Sequence, residues 1–137
     1  MDSEADSQQL NAKQVSVLAM LRESSEELSG QELHQRLRLN GQPIGLATVY
    51  RHLRQLQRLG LARCRHLPSG EALYAPRERD THHLTCVSCG LTLPLDHCPM
   101  HGIQPQPEAA QGFELLFHTL EYFGRCPRCR HSASADA

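Results

Sequence analysis

Leu46-Ala47-Thr48-Val49-Tyr50-Arg51-His52-Leu53-Arg54-Gln55-Leu56-Gln57-Arg58-Leu59-Gly60-Leu61-Ala62-Arg63-Cys64-Arg65-His66-Leu67-Pro68-Ser69-Gly70-Glu71-Ala72-Leu73-Tyr74-Ala75 is the stretch that decides the fold. Val49, Leu53, Leu56 and Leu59 recur at helical spacing, so residues 46–59 read as an amphipathic helix. Gly60 supplies its stop. Tyr50, Arg51, Arg54 and Arg58 fall off the apolar stripe. Residues 61–67 then read as a strand, Pro68-Ser69-Gly70 as a turn and residues 71–75 as the returning strand. Upstream, Val15, Leu18 and Leu21 give a helix beginning at Asn11. Ser29-Gly30-Gln31-Glu32 is a capping box that opens a second helix, with Leu33, Leu37 and Leu39 inward. Asn40-Gly41-Gln42-Pro43 breaks it. Three helices and a hairpin predict a winged helix-turn-helix over residues 10–76.

Residues 77–81 form a short polar hinge, and residues 82–131 a second, cysteine- and histidine-rich domain. Strands are expected at 84–86, 91–95 and 113–123, with one short helix near 108–111. Pro94, Pro99, Pro105 and Pro107 keep the middle irregular. Residues 1–9 and 132–137 are small or polar and are expected to be disordered. The class is α+β, with the winged helix first and a small α/β domain after it.

Composition bounds the function. The chain has 137 residues, 39% apolar and 21% charged, which suits a globular protein. No apolar run approaches the roughly 20 residues needed to span a bilayer. The acidic start, Met1-Asp2-Ser3-Glu4-Ala5-Asp6, is not a signal peptide, so a cytoplasmic location is expected. Net charge is −1, yet residues 31–79 hold nine arginines against Glu32, Glu71 and Glu78. A basic block centred on a helix is either a footprint for nucleic-acid phosphate or a solvated face.

Six cysteines allow three disulfides, a pattern of small secreted domains. Without an export signal, and with nine histidines beside them, metal binding is the better reading. Cys86-Val87-Ser88-Cys89 and Cys126-Pro127-Arg128-Cys129 are two knuckles whose four thiolates close a tetrahedral zinc shell. A redox role would need one such motif, not two. Cys64 and Cys98 remain. Cys64 sits on a wing strand among Arg63, Arg65 and His66, as either a ligand or a small filler. Cys98 lies in Asp96-His97-Cys98-Pro99-Met100-His101. His82 and His83 are strand neighbours that point to opposite faces, so they serve two different metal sites. His118 is expected on the last strand.

Ile44-Gly45-Leu46-Ala47-Thr48-Val49-Tyr50-Arg51, with His82-His83-Leu84-Thr85-Cys86-x-x-Cys89-Gly90 and Gly124-Arg125-Cys126-x-x-Cys129, resembles the ferric uptake regulator (Fur) family over about residues 10–130. The resemblance implies a dimeric, metal-sensing transcription factor with a winged-helix domain and a dimerisation domain held by the four-cysteine zinc. Its partners would be operator DNA and a second copy of the chain, with no membrane and no substrate other than metal ion. DNA contacts then fall to Tyr50, Arg51, Thr48, Ala47, Arg54 and Lys13. The acidic residue usual on the second wing strand is missing, and Asp80-Thr81 replaces part of a histidine run. Cys64 is a replacement ligand, and a soft thiolate beside imidazole suits zinc better than ferrous iron or manganese. The resemblance therefore points to the zinc-uptake-regulator branch, with one structural and at least one regulatory zinc per chain. Its sensory set would be Cys64, His83, Asp80 and His34. An additional site would take His82 and His118 with His97, Cys98 or His101. Three other readings stay open: an iron or manganese sensor, a zinc-ribbon adaptor for protein, and a zinc hydrolase near His97 and His101. The hydrolase lacks an evident general base.

Overall fold

A computed structural model of the chain describes residues 10–100 and 102–135. The expected disordered residues 1–9 lie outside them, as do His101, Asp136 and Ala137. The chain divides into two compact units, Met1–Arg77 and Glu78–Ala137.

The first unit runs α1 (Ala12–Glu23), β1 (Leu28–Ser29), α2 (Gly30–Leu39), α3 (Leu46–Arg58), β2 (Ala62–His66) and β3 (Ala72–Pro76). The first two helices start at residues whose side chains cap them. Asn11 caps α1 by accepting from the Gln14 amide, and the Gln14 side chain answers back. Ser29 Oγ accepts from the Glu32 amide at the head of α2. Leu59 closes α3, and Gly60 follows with φ 74°, a left-handed turn that favours glycine. The core includes five of the positions expected from helical spacing: Leu33, Leu37, Val49, Leu53 and Leu56 are fully buried. Burying each is worth about 1.5–3 kcal/mol. β2 and β3 pair antiparallel, with Cys64 opposite Tyr74. β1 joins β3 as a third strand, an addition too short to show a period in sequence.

The apolar faces differ from expectation at three positions. Val15 is 44% exposed, Leu59 is 41% and Leu39 is 81%. Helix α1 is turned so that Gln14, Val17, Leu18 and Leu21 face inward instead. Gln14 is tolerated there because its Nε2 donates to Gln55 Oε1 at 2.6 Å. The wing is fastened by Arg65, whose guanidinium donates to the Glu27 carboxylate at 2.7 Å.

The second unit contains β4 (His83–Cys86), β5 (Thr92–Pro94), α4 (Pro107–Ala110), β6 (Glu121–Gly124) and α5 (Pro127–Ala135). Its sheet order is β5-β4-β6, antiparallel to β5 and parallel to β6. The strand expected over 113–123 forms only at Glu121–Gly124, because β4 offers partners to those four residues alone. Residues 113–120 carry no strand. The helix Pro127–Ala135 runs past His131, where a disordered tail was expected. No helix among the described residues is long and apolar enough to cross a membrane.

Candidate metal centres and the exposed face of helix α3

Among the described residues, two groups of side chains converge on single points, and both lie in the second unit. The first is Cys86, Cys89, Cys126 and Cys129. The turn after β4 brings round Cys89, and the head of α5 supplies the second knuckle. Cys89 Sγ and Cys126 Sγ stand 3.8 Å apart. Four sulfurs at about 2.3 Å from one zinc ion would sit about 3.8 Å from each other. A disulfide needs about 2.05 Å, and all six cysteines are free thiols. The Cys126 amide donates to Cys86 Sγ at 3.3 Å, and the Cys129 amide to Cys126 Sγ at 3.5 Å. The Cys126 amide, then that of Cys89, pulls the Cys86 thiol down to about 6. The Cys126 side chain, then that of Cys89, pushes the Cys129 thiol up to about 12. Within the quartet, Cys86 and Cys129 are thus shifted in opposite directions. A divalent cation removes that conflict by stabilising four thiolates together.

The second group is Asp80, His82, Cys98 and His118. His82 Nε2 lies 2.8 Å from Asp80 Oδ1, 3.1 Å from Cys98 Sγ and 3.1 Å from His118 Nε2. His118 Nε2 lies 3.4 Å from Cys98 Sγ and 3.8 Å from Asp80 Oδ1. The two imidazoles stack with centroids 4.8 Å apart. Ligands at the 2.0–2.3 Å bond lengths of tetrahedral zinc would stand about 3.3–3.7 Å apart, close to these spacings. His82 is buried, Cys98 half-buried, and Asp80 and His118 exposed, so the site has a dry floor and a wet rim.

The predicted ligands distribute as follows. His82, His118 and Cys98 come together, and Asp80 joins them rather than the set with His83. His97 is exposed and outside the group, and His101 lies outside the described residues. His34 and Cys64 belong to the first unit and His83 to the second. Cys64 packs against the first unit's core. Burial pushes its thiol up, against a smaller lowering by its hydrogen bond with Tyr74. The role of Asp80 had a sequence signal: it stands two residues before His82, so in extended chain both side chains project to one side.

Helix α3 presents Ala47, Arg51, Arg54 and Arg58 to solvent along one face, with Thr48 half-buried beside them. Lys13 is exposed on α1. Tyr50 is half-buried and packs on the core, its ring lying over Gly30 at the head of α2. A Cβ at Gly30 would collide with Cε1 and Cζ of that ring.

Comparison with known proteins follows the same line. The family model described as the Ferric uptake regulator family matches residues 7–123. The Mycobacterium tuberculosis zinc uptake regulation protein is 36% identical over 122 residues, covering 88% of this chain and 94% of that one. The Escherichia coli ferric uptake regulation protein is 30% identical over 123 residues, covering 87% and 83%. Among solved structures, the Pseudomonas aeruginosa ferric uptake regulator with manganese aligns with TM-score 0.66 at 26% identity, covering 87% and 90%.

Proposed function

Since the chain belongs to the ferric uptake regulator family, which comprises metal-responsive transcription regulators rather than enzymes, we propose that it is the zinc-responsive kind, binding operator DNA as a dimer. The carrying observation is the donor set of Asp80, His82, Cys98 and His118. One thiolate and two imidazoles favour zinc over manganese or ferrous iron, and the exposed rim lets the ion exchange. The four-cysteine group, with no open position, is the structural site. The 36% identity to a zinc uptake regulation protein supports the same choice of metal.

On DNA, helix α3 would enter the major groove through Ala47, Thr48, Tyr50, Arg51 and Arg54, with Lys13 meeting phosphate. The second unit leaves Leu84, Leu93 and Tyr122 exposed in register across its sheet, an apolar face that a second copy would cover. Zinc binds the DNA-competent arrangement better than the alternative and shifts the population toward it. Moving the ratio from 1:99 to 99:1 takes about 5.5 kcal/mol of differential binding.

The test is a binding titration on duplex DNA selected in vitro with the zinc-loaded protein. Free zinc is buffered, with iron and manganese run in parallel. Zinc should raise affinity at the lowest free-metal concentration. An iron or manganese response at lower free metal would move the chain to the branch of the iron relatives.

Two variants probe this reading. Gly30→Ala should displace the Tyr50 ring. Overpacking costs about 1–3 kcal/mol, partly offset by up to about 1 kcal/mol of helix propensity. The first unit's melting temperature should fall by several degrees, while operator affinity falls roughly tenfold, the scale of one good contact. Unchanged affinity would remove Tyr50 from the DNA face. Cys64→Ser should retain the zinc response, since its thiol sits half-buried against Tyr74. Loss of the response with the fold intact would instead favour the sensory set of Cys64, His83 and His34.

A further inference from the structure

A polar chain crosses the interior of the first unit between α1 and α3. It starts at a group that can only donate, the Asn11 backbone amide, which gives its proton to Gln14 Oε1 at 3.0 Å. The Gln14 side chain is thereby oriented, and its Nε2 donates to Gln55 Oε1 at 2.6 Å. His52 Nδ1 lies 3.2 Å from the same oxygen, so the neutral ring carries its proton on Nδ1. His52 Nε2 is then a bare acceptor, and among the described residues no group bonds to this buried atom. Gln14 and His52 are buried and Gln55 is half-buried. Polar groups in such places cost free energy that an apolar side chain would not. Their use here calls for a gain other than stability.

Each member directly follows an exposed cation: Gln14 follows Lys13, His52 follows Arg51, and Gln55 follows Arg54. Neighbours on a helix point about 100° apart, so holding one sets the direction of the other. We propose that Gln14, His52 and Gln55 are positioning residues for DNA, setting the rotation of α3 against α1 and so the spacing of Arg51 and Arg54 from Lys13. The proposal rests on reading α3 as the recognition helix. The apolar packing of Val17, Leu21, Val49 and Leu53 in the same core is non-directional, whereas hydrogen bonds accept only a narrow range of distance and angle. A single polar position can fix the register of an apolar seam between helices. A turn of about 10° moves a side chain about 6 Å from the helix axis by about 1 Å. That is enough to break a hydrogen bond to a base edge.

The test compares the zinc-loaded, full-length parent with variants on two duplexes, one selected in vitro with the parent and one of shuffled sequence. Gln14→Leu, His52→Leu and Gln55→Leu together should keep or raise the melting temperature, because the buried partners leave at once. The affinity ratio between the duplexes should fall about tenfold or more, the scale of one lost base contact. Residual dipolar couplings should show α3 turned relative to α1. His52→Asn puts a side-chain N–H donor in the place of Nδ1. It should melt lower for its lost volume, yet discriminate like the parent. His52→Leu alone should discriminate about tenfold less well. A folded triple variant with the parent's couplings and discrimination would overturn the proposal. If the triple variant does not fold, equal discrimination by His52→Asn and His52→Leu would do so. A parent that prefers neither duplex, with couplings still altered in the triple variant, would leave the positioning standing and defeat the regulator reading instead.

Discussion

Cys86→Ser is expected to unfold the second unit while helices α1 to α3 and the wing stay folded. The reason lies in how unevenly apolar burial is divided. The buried hydrophobic side chains run from Val17 to Ala75 in the first unit, and among the described residues Cys86 alone represents the second. A sheet of three short strands cannot supply a stable core unaided. The four-cysteine zinc substitutes for that core. Structural zinc in small peptides contributes about 10–16 kcal/mol, as much as the whole stability of an ordinary domain.

Cys86 is also the best-placed of the four. It ends the central strand β4, is 5% exposed, and its sulfur accepts the Cys126 amide that begins the second knuckle. Its loss opens the metal shell and the β4 to α5 connection together. Only the first unit's melting transition should remain, with the second unit's amide signals collapsed in a two-dimensional NMR spectrum and self-association lost. A chelator strong enough to strip the parent chain should reproduce this state. A variant that melts like the parent and remains a dimer would show that the quartet does not hold the unit together.

The contrast with the first unit explains what could be read in the sequence. Helix α3 was legible because Val49, Leu53 and Leu56 repeat on one face and all three are buried. The hairpin was legible because Pro68-Ser69-Gly70 separates two runs of alternating residues. The metal quartet was legible because two residues between cysteines is a spacing with a geometric cause. Where burial does not repeat locally, sequence reasoning slipped. Val15 sits at helical spacing yet faces water, because the buried Gln14, held by its hydrogen bond to half-buried Gln55, takes the position at its side. The apolar run 113–120 has strand composition without a strand beside it, so composition alone overextended β6. The second cluster was half legible. His82, His118 and Cys98 were grouped from their clustering and from the family pattern. Asp80 joins the cluster and not the set with His83, and the only sequence signal for that is its place two residues before His82.

Removing His118 is expected to abolish the zinc response and leave the fold alone. Its side chain is 45% exposed, so truncation to alanine opens no cavity in a core. It supplies one of two imidazoles to the cluster, with Nε2 3.1 Å from His82 Nε2 and 3.4 Å from Cys98 Sγ. Three donors would remain, and the vacated side faces water. Losing a partner that merely orients a ligand costs about 10–100-fold in metal affinity, so losing a ligand should cost at least about 100-fold. At a free zinc level that saturates the parent, His118→Ala would then be nearly empty. Its DNA affinity should stay at the zinc-free level. The four-cysteine zinc, the melting temperature and the dimer should persist, since the quartet shares no residue with this cluster. His97→Ala provides the matched control, being exposed, close in sequence to Cys98 and outside the group. It should respond to zinc like the parent chain. An undiminished response in His118→Ala would remove the cluster from the sensing role and pass that role to Cys64, His83 and His34.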